Sequence, residues 1–115
     1  MSAWTAVCRL SQVPVERGVC ALVDGEQVAL FRLPDGTLRA LGNRDPYSGA
    51  MVLSRGIVGT RGERATVASP MYKQVFDLAT GVCLDDATVA VPVHGVRVHR
   101  DEVQVLLYPA VRQSA

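Results

Sequence analysis

The residues of this 115-residue chain with the widest chemical repertoire are three cysteines, two histidines and two adjacent aspartates. Cys8, Cys20 and Cys83 form no C-x-x-C or C-x-H and have no histidine close by, so the spacing that zinc or an iron–sulfur cluster requires is absent. Their neighbours are apolar or small (Val7; Val19 and Ala21; Val82 and Leu84), which predicts reduced, buried thiols acting as small core hydrophobes. His94 and His99 are an odd number of residues apart and should face opposite sides of a regular strand. Asp85-Asp86 would need a shared face to act as an acid–base pair; neighbours in a strand diverge and neighbours in a turn are solvated, so a turn role is expected. Ser54 lacks a G-x-S-x-G elbow, and no G-x-G-x-x-G is present for a dinucleotide. Arg55, Arg61 and Arg64, set among Gly56, Gly59 and Gly62, fit either an anion-attracting loop or a solvated hairpin, and the hairpin is the favoured reading.

Bulk properties narrow the class further. Twelve Lys plus Arg against eleven Asp plus Glu leave a charge of +1, which argues against a nucleic-acid partner. Hydrophobic residues reach 49%, but in short runs, far from the roughly 18 consecutive apolar residues of a membrane helix. Met1-Ser2-Ala3-Trp4 has neither the basic nor the apolar region of a secretory signal, so a cytoplasmic protein is expected. The length suits a single domain, with a core over about residues 4–107 and a tail at 108–115.

The elements that must carry these residues read as all-β. No window of a dozen residues keeps a 3.6-residue apolar period free of Gly or Pro. Residues 19–23 and 27–33 flank Asp24-Gly25-Glu26 and should pair as a hairpin, which Pro34-Asp35-Gly36 extends to a third strand at 38–41. Val96 and Val98 alternate with Arg97 and His99, then Arg100-Asp101-Glu102 turns the chain into a strand at 103–105. This spacing predicts a small sandwich or barrel. Residues 42–62 and 68–73 carry polar, Gly and Pro residues typical of loops, so the scaffold should present two loops, where function usually resides.

Those loops resemble the cluster-binding loops of Rieske ferredoxins, which carry C-x-H in the first and C-x-x-H in the second, followed by Phe-Asp and Thr-Gly. Asp45-Pro46-Tyr47-Ser48-Gly49, followed by Leu53-Ser54-Arg55-Gly56, matches the first, with one residue extra before Leu53. Ser69-Pro70-Met71-Tyr72-Lys73-Gln74-Val75-Phe76-Asp77-Leu78-Ala79-Thr80-Gly81 matches the second and its strand. The resemblance implies a Rieske-like β-sandwich or barrel with two loops at one end, in which Asp45, Tyr47, Ser69 and Tyr72 stand at the former ligand positions. A cluster of this type needs two thiolates and two imidazoles, so no metal or cofactor is expected in this chain.

Asn43-x-Asp45-Pro46, Val52-Leu53-Ser54-Arg55-Gly56-Ile57-Val58-Gly59, Ser69-Pro70-x-Tyr72-Lys73-Gln74 and Cys83-Leu84-Asp85-Asp86, with Gly18-Val19 and Val28-Ala29-Leu30-Phe31-Arg32, are together similar to the small subunit of bacterial assimilatory NAD(P)H-dependent nitrite reductase. That resemblance implies a large-subunit partner carrying FAD, an iron–sulfur cluster and siroheme, and a non-catalytic accessory role for this chain in reducing nitrite to ammonium. The two loops would form the contact surface, through Asn43, Asp45, Tyr47, Arg55, Tyr72 and Lys73. Replacing metal bonds with hydrogen bonds and packing is the favoured role for the tyrosines and Asp45. An independent cluster-less binding module, serving another oxidoreductase or regulation, is the alternative.

Overall fold

The computed structural model describes residues 4–108. Among these described residues nine strands form: β1 (Thr5–Arg9), β2 (Val19–Val23), β3 (Glu26–Arg32), β4 (Leu38–Gly42), β5 (Ile57–Arg61), β6 (Arg64–Ala68), β7 (Val75–Asp77), β8 (Val93–His99) and β9 (Glu102–Leu106). The expected meander is present as β2–β3–β4. Asp24 and Gly25 both adopt positive φ (49° and 82°), as a two-residue turn matched to strand twist requires. Arg100 and Asp101 do the same between β8 and β9, at 51° and 69°.

The strands assemble in the order β1-β9-β8-β4-β3-β2, with β1 and β2 in contact so that the sheet curls almost into a barrel. Between β4 and β8, which pair directly through Ala40–His94 and Leu41–Val93, an insertion carries both loops and a second sheet, β5-β6-β7. The alternation of β3 explains how the two parts hold together. Val28 and Leu30 enter the barrel core with Ala40, Val103 and Val105, while Ala29 and Phe31 enter a second core with Leu41, Leu53, Val67, Phe76 and Leu78 under the inserted sheet. A strand buried on both faces thus forms a wall common to both cores.

Several expectations are corrected. The first part of residues 42–62 is loop, but Ile57–Arg61 is a strand whose hairpin with β6 turns at Gly62, so Arg61 and Arg64 sit on a hairpin, while Arg55 lies in the short turn before it. Glycine at every third position, Gly56, Gly59 and Gly62, had concealed the β pattern of Ile57, Val58 and Thr60. Strand β1 was not anticipated. Of the cysteines only Cys83 is buried; Cys8 is half-buried and Cys20 exposed, because Cys20 lies on the outward face of β2. His94 is buried and His99 exposed, as their odd separation on β8 demands. The expected tail lies, apart from Tyr108, outside the described residues.

Candidate functional site: two loops closed on each other

Where β4 ends, Asn43 anchors the first loop. Its Oδ1 accepts from the Ser54 N–H (2.7 Å), while its Nδ2 donates to the Met51 carbonyl (3.0 Å) and Gln27 Oε1 (3.1 Å). The start and end of the loop are thereby tied to each other and to β3. Asp45 follows, fully buried. Its Oδ1 accepts from the Tyr47 N–H at 2.8 Å, and its backbone N–H donates to the Ala50 carbonyl at 2.8 Å.

The second loop leaves β6 at Ser69, which is also buried. Its carbonyl accepts from the Lys73 N–H (3.0 Å) and its N–H donates to the Gln74 carbonyl (2.9 Å). The Ser69 hydroxyl donates across the gap to Asp45 Oδ2 at 2.5 Å and accepts from the Met71 N–H at 3.3 Å. The residues matched to the two cysteine positions are therefore bonded to each other.

Tyr47 makes a different connection. Its hydroxyl donates to Cys83 Sγ at 3.5 Å and its ring lies tilted against Phe76, centroids 6.4 Å apart. The hydrogen bond to Cys83, then burial, then electrostatic interaction with Cys83, Asp86 and Asp85, push its hydroxyl up to about 12. It is a fixed donor at neutral pH. Tyr72 is 61% exposed, so the two tyrosines have divergent roles.

The Cys83–Asp86 segment supports this arrangement. Asp85 accepts from the Val75 N–H (2.9 Å) and from Arg61 (3.3 Å), and Asp86 accepts from the Thr88 hydroxyl (2.6 Å) and N–H (3.0 Å). The Val75 N–H, with Arg61, lowers the Asp85 carboxyl, and the Thr88 hydroxyl and N–H lower Asp86. Asp86 braces a turn, as expected, while Asp85 ties its segment to β7 and β5. Burial raises the Cys8 and Cys20 thiols, the opposite of nucleophile activation.

Of the six predicted contact residues, Asn43 and Asp45 are buried, 1% and 0% exposed, and shape the first loop from within. Tyr47, Arg55, Tyr72 and Lys73 retain exposed surface. Sequence reasoning missed Cys83 as Tyr47's partner, and it missed Met51 and Met71, 39% and 47% exposed in the two loops. An apolar residue inside a polar loop run was the available signal.

The fit to an iron–sulfur centre is poor. The four matched positions offer a carboxylate, a hydroxyl and two phenols where two thiolates and two imidazoles are needed, and Asp45 and Ser69 are already bonded to each other. Among the described residues no group of three His, Cys, Asp or Glu is placed to hold a metal ion.

Comparison with known proteins agrees with the scaffold. The family model described as a Rieske-like [2Fe-2S] domain matches residues 3–106. A nitrite reductase (NADH) small subunit from Salmonella typhimurium is 40% identical over 106 residues, covering 91% of this chain and 98% of that protein. The chain belongs to this small-subunit family. The crystal structure described as an NADH-dependent nitrite reductase small subunit from Mycobacterium tuberculosis superposes with a TM-score of 0.86 at 55% identity, covering 89% of this chain and 92% of that one. A nitrite reductase [NAD(P)H] large subunit from Klebsiella oxytoca is 40% identical over 102 residues, which is 89% of this chain and 11% of that protein. One relative thus contains a small-subunit-like stretch within a large subunit. Small subunits of the family pair with a large subunit, and among the described residues of this chain no helix is long and apolar enough to cross a membrane.

Proposed function

We propose that this chain is a cluster-less accessory subunit that binds the large siroheme- and flavin-containing subunit of a cytoplasmic, assimilatory NAD(P)H-dependent nitrite reductase and supports its reduction of nitrite to ammonium. The observation that carries the reading is the Asp45–Ser69 hydrogen bond: the frame of a cluster-binding tip is kept, and protein atoms close it. FAD, the iron–sulfur cluster and siroheme belong to the large subunit in this reading. The loops serve contact, with Tyr47, Arg55, Tyr72 and Lys73 at the surface and Asn43 and Asp45 setting the loop shape.

Purifying the large subunit with and without this chain tests the proposal. Co-elution and a higher rate or longer lifetime of nitrite-dependent NADH oxidation are expected; equal activity without co-elution sinks it. The isolated chain, expressed with iron and sulfide supplied, is expected to be colourless and iron-free by elemental analysis. A stoichiometric iron content with visible absorption would restore an electron-carrier role.

A further inference from the structure

The two loops combine exposed apolar side chains with charge of a single sign. Met51, Met71 and Tyr72 are 39%, 47% and 61% exposed. The backbones of Met51 and Met71 are held near one another: Met51 forms a β-bridge with Arg44, next to Asp45, the Met71 N–H donates to Ser69 Oγ, and Ser69 bonds Asp45. The charged residues within 43–56 and 69–74 are Arg44, Asp45, Arg55 and Lys73. The one acid among them is fully buried and accepts hydrogen bonds from Tyr47, Ser48 and Ser69, so each charge these loops expose is positive.

We infer that one copy of this chain seats on one large subunit through this face: Met51, Met71 and Tyr72 enter an apolar recess, and Arg44, Arg55 and Lys73 meet carboxylates around its rim. The inference rests on the accessory-subunit reading and adds the chemistry of the receiving surface and the stoichiometry. A methionine pair beside an aromatic ring supplies deformable and rigid apolar contact together. The loops' own exposed charge disfavours the simplest rival occupant, a second copy of this chain, because a two-fold dimer through this face would set Arg44, Arg55 and Lys73 against their own copies. The Klebsiella oxytoca large subunit, which carries the matched stretch within its own chain, is the basis for the one-to-one ratio.

The test uses the separately purified chain and large subunit, with binding followed by calorimetry at low and high salt and the mass of the complex measured by analytical ultracentrifugation. The unaltered chain is expected to bind with one copy per large subunit and to weaken as salt rises. A variant carrying Met51→Ser, Met71→Ser and Tyr72→Ser is expected to lose about tenfold or more in affinity at any salt concentration. Arg55→Glu with Lys73→Glu is expected to weaken binding mainly at low salt. Val98→Ser, at the opposite end of β8, is expected to bind as the unaltered chain does. Circular dichroism confirms that each variant is folded. Wild-type affinity in both loop variants, with the complex still forming, would overturn this face and leave the accessory role standing. Two copies per large subunit would overturn the stoichiometry. No complex with the unaltered chain would remove the accessory reading itself, and this inference with it.

Discussion

Asp45 divides its carboxylate between two loops: Oδ1 orders its own turn through the Tyr47 and Ser48 N–H groups, and Oδ2 receives the hydroxyl of Ser69, 24 residues away. Removing one side of a buried charged hydrogen bond leaves the other group desolvated and unpaired. Ser69→Ala should therefore cost about 2 kcal/mol and Asp45→Ala about 3 kcal/mol, measured by urea denaturation. The double variant should cost less than the sum, because each single change already removes the shared bond. Strict additivity would show that the loops do not depend on it. Asp77 gives a prediction in pH. Burial would raise its carboxyl, but the Ala79 N–H, Arg64 and the Thr80 N–H outweigh that and hold it below its ordinary 3.8. A carboxyl lower in the folded state stabilises above the ordinary value and loses that contribution as pH falls through the folded one. Stability should fall on acidification below about pH 4, less steeply in Asp77→Asn, with equal slopes counting against the assignment. The sequence marked Asp45 and Ser69 as altered positions through their motif frame. Their bond to each other was not legible, because no local periodicity links two short polar residues that far apart.

The hairpins β2–β3 and β8–β9 were legible because their turns carry chemistry of their own: Asp24-Gly25 and Arg100-Asp101 accept positive φ between alternating strands. β1 and β5 were not. β1 is fixed by its pairing with β9, across nearly the whole chain, and a bulge between Ala6 and Cys8 interrupts its alternation. In β5, Gly59 weakens the propensity signal, and only pairing with β6 settles the strand. Other glycines bring elements together. A Cβ at Gly18 would lie 2.2 Å from the Ser54 carbonyl oxygen and 2.8 Å from Phe31 Cε1, and one at Gly56 would lie 2.5 Å from the Ala68 carbonyl oxygen. Both contacts press the residue 53–55 turn, which follows the first loop, against its neighbours. Gly18→Ala and Gly56→Ala should each cost about 2 kcal/mol or more in thermal or urea unfolding. At Gly59 a Cβ would meet only Thr66 Oγ1, at 3.8 Å, so Gly59→Ala should stay within about 0.5 kcal/mol. If all three behave alike, close approach is not what Gly18 and Gly56 supply.

Across the molecule, the loop-bearing insertion and the barrel have separate cores but share β3, and to a lesser degree β4, as their common wall. Leu30 and Phe31 are adjacent, both fully buried, and point into different cores. Losing either side chain creates a cavity on one face of a strand whose other face belongs to the second core, so damage in one half reaches the other through a single backbone. Phe31→Ala should cost about 3–5 kcal/mol and Leu30→Ala about 2–5 kcal/mol. In both, the chain should still unfold in one step. Trp4, whose ring packs under Arg97 at 4.2 Å, reports on the barrel by fluorescence, and far-ultraviolet circular dichroism reports on the strands of both sheets. Coincident urea transitions from the two probes are expected for the wild type and both variants. If circular dichroism in Phe31→Ala shows an earlier partial loss while Trp4 stays native, the insertion melts alone and β3 does not couple the halves. Coincidence would mean that the two loops are held as firmly as the barrel beneath them, the condition under which a ligand-free tip keeps a fixed shape for a partner.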